Sequence, residues 1–370
     1  MRDMIVFGED FGGLPSSTQH LIRNLPQMRK IIWVNSIGLR QPKLNSGDCY
    51  RAMSKLFGQA KRGFCTPSQV PDNVHIVNLR TIPAPGSQIS RQLARSMMLQ
   101  QLLPILEQHH IDKPILWSSL PTAADLCGHL NESGVIYYCG DDFSALSGVD
   151  HDVVTEHEHK MVKKANIIFG ASEAICAKFP YNKTVLLPHG VDLELFSQPV
   201  PKADDFPTSG RPVAGFYGSL SNWLDYDLIN LVALNLPGWD FIFVGPNEMS
   251  YNPLPKLSNV HYLGPRPHHQ LPRYSQHWQA SLLPFKSNRQ IQACNPLKLL
   301  EYLAAGSPIV ATPFPALDRY NKYINIVDNA HEMSEALKIT TYEAKRSADI
   351  VASDSWRARS QFVRSLLDML

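Results

Sequence analysis

Residues 295–312 read NPLKLLEYLAAGSPIVAT, and this stretch carries its own boundaries. Asn295 is a good helix N-cap, and Pro296 suits the first helical position, where a missing N–H costs little. Gly306 fits the left-handed residue that follows a last helical turn. The run Pro308 to Thr312 is apolar enough to be a buried strand. These signals predict a helix of about ten residues, Pro296 to Ala305, leading into a strand. Lys298 falls in the first turn and Glu301 three residues on, so the two share one helix face. First-turn amides carry partial positive charge and favour an anion. Lys298 adds a full charge at the same place, which makes a cradle for a diphosphate. Glu301, one turn deeper, can accept hydrogen bonds from two vicinal ribose hydroxyls. Alone, a Lys-x-x-Glu pair would read as a surface ion pair of little consequence. The rest of the chain supplies the context.

Outward from this stretch the chain alternates strand and helix. In the first half, apolar runs at Met4–Gly8, Lys30–Asn35, Val74–Val77, Pro114–Trp117, Val135–Tyr138, Ile167–Gly170 and Thr184–Leu187 read as strands. Helical periodicity covers Ser90–Glu107, with Pro104 expected to break or kink its end, and Glu156–Ala165. Residues 198–212, QPVPKADDFPTSGRP, have no periodicity and read as an interdomain linker. A second alternation follows: Val213–Gly218, Asp227–Leu234, Asp240–Gly245, Val260–Gly264, Ala280–Phe285 and the helix–strand unit above. Continuous apolar strands with helices between them mean parallel sheets covered on both faces. The expected architecture is α/β, with two tandem Rossmann-like doubly wound domains. They are residues 1–197 and 213–350, and a helix in 351–370 could pack back on the first. Ligands of such sheets bind at the carboxyl ends of the strands, so the cleft between the domains is the expected site.

Bulk composition fits this reading. A chain of 370 residues is long enough for two cores, and 44% hydrophobic with 18% charged residues is globular. A net charge of +2 gives no basic excess, so no nucleic-acid partner is expected. The cysteines at 49, 65, 127, 139, 176 and 294 are scattered with no C-x-x-C, so zinc is not expected and free thiols in a reducing cytoplasm are. Neither a signal peptide nor a membrane span is legible. The protein is expected in the cytoplasm, at most resting on the membrane's inner face.

Several of these elements, taken in order, resemble one family. Pro296 to Thr312 is similar to the donor-binding signature of family-4-like GT-B glycosyltransferases (glycosyl transferases group 1), of the kind used in bacterial polysaccharide biosynthesis. Pro188-His189-Gly190-Val191-Asp192 with Phe196 resembles the element before their linker. Gly215 to Leu220 resembles the first strand and loop of their donor domain. Leu263-Gly264-Pro265-Arg266 with Leu271-Pro272, and Leu283-Pro284-Phe285, have counterparts there, as do Ser355-Trp356 with Arg359. The resemblance runs from about Trp117 to the end; the first hundred residues match in pattern only. It implies transfer of a sugar from a nucleotide-diphosphate-sugar to a hydroxyl of a saccharide or lipid-linked acceptor, with no cofactor and no metal. One departure stands out. Many retaining members carry a second Glu eight positions before the one matched by Glu301; here that position is Ala293. The stereochemical course therefore stays open.

The expected donor-binding residues are Lys298, Glu301, Asn295, Gly218, Lys286, Arg289, His189 and Arg266. Lys286 and Arg289 would add charge just before the signature helix. Gly12, Gly13 and Ser16 belong to the loop after the first strand, GEDFGGLPSS, where glycines allow a close approach to ligand. That loop is neither a G-x-G-x-x-G fingerprint nor a Walker loop, so dinucleotide and ATP readings gain nothing. Asp141 and Asp142, at the end of a strand, are candidates for the base that deprotonates the acceptor, and Asp10 is their rival. His268 and His269, with His261 and His277, lack metal-helix spacing and show no Asp or Glu companion in sequence, so they are read as non-metal. Two alternatives stay open. A sugar-nucleotide 2-epimerase of the same fold would isomerise the donor without an acceptor. A non-catalytic relic would bind the donor without turnover, which a donor-hydrolysis assay would reveal.

Overall fold

The computed structural model describes residues 1–12, 16–36, 70–82, 85, 87–143 and 151–370. Gly13, Cys49 and Cys65 fall outside them. Among the described residues Cys127, Cys139, Cys176 and Cys294 are free. The chain divides into two compact units: Met1–Pro188 with Arg359–Leu370, and His189–Ala358.

The first unit is built on strands β1 (Met4–Phe7), β2 (Ile31–Val34), β3 (Val74–Val77), β4 (Ile115–Ser118), β5 (Gly134–Cys139), β6 (Ile167–Gly170) and β7 (Thr184–Leu186). They form a seven-stranded sheet in the order β3-β2-β1-β4-β5-β6-β7, with every pairing parallel. The central strands β1, β2, β4 and β5 are buried at every position, as a sheet covered on both faces requires. Helices α1 (Ser17–Arg23), α2 (Gln88–Gln108) and α3 (His151–Lys164) connect them, with the four-residue α4 (Glu173–Cys176) following β6. Pro104 does not end α2, which continues to Gln108. The face carrying Met98, Leu102 and Leu106 is buried on the sheet, and that burial outweighs the one backbone hydrogen bond a proline removes.

The second unit contains β8 (Val213–Tyr217), β9 (Asp240–Val244), β10 (Val260–Gly264), β11 (Ala280–Leu283), β12 (Ile309–Ala311) and β13 (Ile324–Ile326). Their order is β10-β9-β8-β11-β12-β13, again all parallel. In chain order the helices are α5 (Leu193–Ser197), α6 (Tyr226–Asn235), α7 (Pro272–Ser275), α8 (Arg289–Ala293), α9 (Leu297–Ala305) and α10 (Ala330–Thr340). Helix α11 (Trp356–Leu367) then carries the chain back into the first unit. There the Ser360 hydroxyl donates to the Leu21 carbonyl at 2.8 Å, and Val363 and Leu367 are buried. The strand order reverses direction between β8 and β11, and α9 lies in the connection from β11 to β12.

Residues 198–212 are not a free linker. The boundary falls earlier, at Pro188/His189, and the segment is laid along the second unit. Ala203 and Phe206 are buried in that unit's core. The Ala203 amide donates to the Arg273 carbonyl at 3.1 Å, and the Val200 amide to Gln276 Oε1 at 3.1 Å. The Gln276 amide nitrogen returns bonds to the Phe196 and Gln198 carbonyls, both at 2.8 Å. Asp205 is held by Arg266 and by the Tyr274 hydroxyl. Two apolar anchors and partners some 70 residues downstream do this, and neither leaves a period in the sequence.

Candidate functional site

Helix α9 begins one residue later than its capping signals suggest. Pro296, not Asn295, is the N-cap, and it supplies no side-chain acceptor. Proline has no N–H to place and no polar side chain, so the first-turn amides are left without a side-chain cap from it. Gly306 closes the helix at φ 75°, the left-handed conformation its sequence position called for.

Lys298 is the second helical residue. Its ammonium lies 5.3 Å from the Trp223 ring centre, 5.5 Å from Phe216 and 5.9 Å from Phe285. Three ring faces attract it, yet no carboxylate comes within ion-pair distance of it among the described residues. Burial depresses its pKa, and Glu301, Cys294 and Glu248 pull the other way. A cation held in this way is stabilised by any anion that reaches it.

The backbone beside Lys298 has been cleared of side chains. Gly218, directly after β8, has φ 137°, and a Cβ there would sit 2.8 Å from Lys298 Cε. Gly245, directly after β9, has φ 145°, and its Cβ would be 2.0 Å from the Gly218 carbonyl oxygen. The ends of two adjacent strands can meet at this point only without side chains.

Glu301 is buried, 7% exposed. Its Oε1 lies 2.7 Å from His268 Nε2. Burial alone would raise its pKa. The bond to His268, that ring's charge, the Tyr217 hydroxyl and Lys298 together outweigh burial and leave it lowered. His268 thus has the acidic companion that sequence spacing concealed. His261 likewise pairs with Asp240, at 3.0 Å. Neither contact is local: 33 and 21 residues separate the partners, so no sequence period could reveal them. Among the described residues no group of three potential metal ligands occurs.

The other expected donor residues divide. Arg266 is committed to the fold: it pairs with Asp205, and its Nε donates to the Tyr274 hydroxyl at 3.1 Å. Lys286 and Arg289 are exposed, Lys286 in the turn after β11 and Arg289 opening the short α8. Asn295 is half-buried just ahead of α9. His189 is half-buried where the chain enters the second unit. Ala293, the position without a carboxylate, is buried in α8.

In the first unit, the three candidate bases are distinguished by their partners. Asp142 is buried and paired with Lys178 at 2.6 Å. Lys178 also reaches Glu158 at 3.6 Å, and Glu158 accepts from the Tyr137 hydroxyl at 2.8 Å. A carboxylate so paired is a poorer proton acceptor than one without a cation beside it. Asp10 accepts the Ser36 amide at 3.1 Å, and its own carbonyl accepts from Gln19 at 3.4 Å. It holds the loop after β1 against the end of β2. Gly12, at φ 79°, donates its amide to Gln19 Oε1 at 3.2 Å, and Ser16 caps α1 by accepting the Gln19 amide. Asp141 lies just beyond the carboxyl end of β5 and makes no side-chain hydrogen bond or ion pair among the described residues. Asp141 is exposed, yet neighbouring protein atoms strip part of the water from its carboxylate, and this, then the Glu9 charge, raise its pKa.

Residues 211–339, which contain Gly218, His268, Lys298 and Glu301, match the family model Glycosyl transferases group 1. A Bacillus subtilis (strain 168) relative is TuaH, whose name assigns it to teichuronic acid biosynthesis as a glycosyltransferase. It is 30% identical over 247 residues, 61% of this chain and 62% of that protein's length. Among solved structures, Anabaena HepE in complex with UDP and glucose superposes over 100% of both chains with a TM-score of 0.67 at 12% identity. Sucrose-phosphate synthase from Thermosynechococcus elongatus does so over 100% of both chains with a TM-score of 0.69, also at 12% identity. No helix among the described residues is long and apolar enough to cross a membrane. The chain therefore has the GT-B fold, and its residues 211–339 are similar to the Glycosyl transferases group 1 family.

Proposed function

We propose that the protein is a glycosyltransferase that moves a sugar from a nucleoside-diphosphate-sugar to a hydroxyl of a saccharide or lipid-linked acceptor. One observation carries the donor assignment. Lys298 is a half-buried cation with a depressed pKa and, among the described residues, no carboxylate within ion-pair distance. It stands in the first turn of α9, where the cap offers no side-chain acceptor and two glycines leave room. A diphosphate supplies the missing negative charge, and the leaving diphosphate of sugar transfer places still more charge there as the bond breaks. Glu301 faces the ribose. Asp141, without an ion pair among the described residues and with a raised pKa, takes the acceptor proton. No step calls for a metal or cofactor, since fixed dipoles and Lys298 meet the developing charge.

The relative's role in teichuronic acid synthesis and the UDP bound by HepE make UDP the first nucleotide to test, and a bacterial surface polysaccharide the first acceptor class. Work at the inner face of the membrane suits a lipid-linked acceptor. The test is a thermal-shift screen against UDP, GDP, ADP and dTDP, since a ligand that binds the native state raises its melting temperature. One nucleotide should shift the wild type, and Lys298→Ala and Glu301→Ala should each weaken that shift while their own unliganded melting stays cooperative. Wild-type affinity in both variants would overturn the site. Incubating the positive nucleotide's sugar conjugate with and without acceptor then separates transfer from isomerisation and from binding without turnover.

A further inference from the structure

The donor reading uses Lys298, Glu301 and the first turn of α9, and leaves His268 without a task. Yet His268 is the residue that touches Glu301. It sits in the turn His268–Gln270 after β10, with Nε2 2.7 Å from Glu301 Oε1. Its ring is itself held in place. Phe196, fully buried at the end of α5, meets it edge to face with centroids 5.4 Å apart. Phe196 in turn stacks on Tyr217, whose ring lies edge-on to Tyr302 at 4.8 Å. Asp192, the N-cap of α5, adds negative charge on the same side. Residues 192–196 thus brace the ring that touches the carboxylate from more than 70 residues upstream of it.

A carboxylate rotates easily about its last bond, and a ribose diol needs its oxygens at fixed positions. A partner bonded to Oε1 fixes the carboxylate plane and leaves Oε2 to face the ligand. We propose that His268 is a positioning residue for nucleotide recognition: by holding Oε1 of Glu301 it orients the carboxylate for the ribose hydroxyls, and so sets the preference for ribonucleotides over deoxynucleotides. This rests on the donor reading above. The charges agree with it. Burial works against protonating His268, but Glu301 and Asp192 outweigh burial and raise its pKa, while that of Glu301 is lowered. The pair is therefore ionic over a wider pH range than either group alone would allow. The groups facing it are Glu301 and Asp192 on His268, and Tyr217 and Lys298 on Glu301.

The experiment measures the affinity of UDP, GDP and ADP, of their 2′,3′-dideoxy counterparts and of pyrophosphate. It uses the full chain as wild type, His268→Phe and His268→Gln. A charge-assisted bond to the ribose should give the wild type a ribo-over-dideoxy preference of about tenfold or more for the nucleotide it binds. His268→Phe should cut that preference to about twofold or less while pyrophosphate, which reads Lys298 and the helix amides, binds as before. His268→Gln, whose amide can donate to the same oxygen, should recover most of the preference. In the wild type the preference should shrink as pH rises through the raised pKa of His268, and in His268→Gln it should not. Because it is a ratio, titration of the nucleotide's own phosphate cancels. An unchanged preference in His268→Phe overturns the proposal while the donor site stands. So does a parallel loss of pyrophosphate binding, which would mean general collapse of the site. A wild type that binds a nucleotide without any ribose preference removes the ribose role of Glu301 and this proposal with it. A wild type that binds none of the three removes the donor reading as well.

Discussion

At the scale of single residues, the same side-chain type does opposite work according to its partners. Asp141 and Asp142 are neighbours, yet one is tied to Lys178 at 2.6 Å and the other makes no such contact among the described residues. Asp141→Asn keeps the shape and removes the base. It should lower kcat of transfer by about a hundredfold or more, with donor affinity unchanged. The check is a steady-state assay beside a direct nucleotide titration, and an unchanged kcat would place the base elsewhere. Asp142 was an equal candidate in the sequence, because nothing in Cys-Gly-Asp-Asp-Phe says which carboxylate will meet a lysine 36 residues later. Lys298 and Glu301 were legible because helix geometry fixes the i, i+3 relation and capping residues fix the helix. What the helix geometry could not give was their burial, or the histidine.

At the scale of elements, α9 shows how far local rules reach. Its approximate length and its left-handed C-terminal glycine follow from residues within the segment. Gly306 is also pressed on from outside: a Cβ there would lie 2.6 Å from the Arg346 carbonyl oxygen, and the Arg346 amide donates to the Gly306 carbonyl at 3.1 Å. Gly306→Ala should therefore cost more than the about 1–2 kcal/mol of left-handed strain alone, because a backbone group must also move. A urea titration of the purified variant reads this as a lower midpoint, and an unchanged midpoint would show that the turn can rearrange freely. Residues 198–212 mark the opposite limit. Proline and polar residues there gave no period, and the segment is ordered by Ala203, Phe206 and bonds to Arg273 and Gln276.

At the scale of the whole molecule, each unit carries its own parallel sheet and its own buried charges, so stability has a pH dependence that belongs to a unit. In the first unit His157 is 1% exposed, with Nδ1 3.1 Å from an Arg91 nitrogen. Burial, and then the Arg91 charge, lower its pKa to about 4. The folded state keeps it neutral while the unfolded chain protonates near 6.5. The unfolded state therefore binds more protons below that value. Its stabilising contribution is complete above about pH 6.5 and is lost as pH falls towards 4, up to about 3 kcal/mol in all. Denaturant melts of the wild type and of His157→Gln across this window should show a shallower pH slope in the variant. Equal slopes would mean that other groups carry the dependence.

The sequence by itself determined the two parallel sheets, most strand positions, and the helix that bears Lys298 and Glu301. These follow from apolar runs, helical period and caps, all of which act over a few neighbouring residues. Tertiary structure alone decided the rest: the pairing of His268 with Glu301, the loss of Asp142 to Lys178, and the three rings around Lys298. It also decided where one unit ends, at Pro188 rather than within 198–212. Each of these is a contact between residues tens of positions apart, and short-range periodicity carries no record of such contacts.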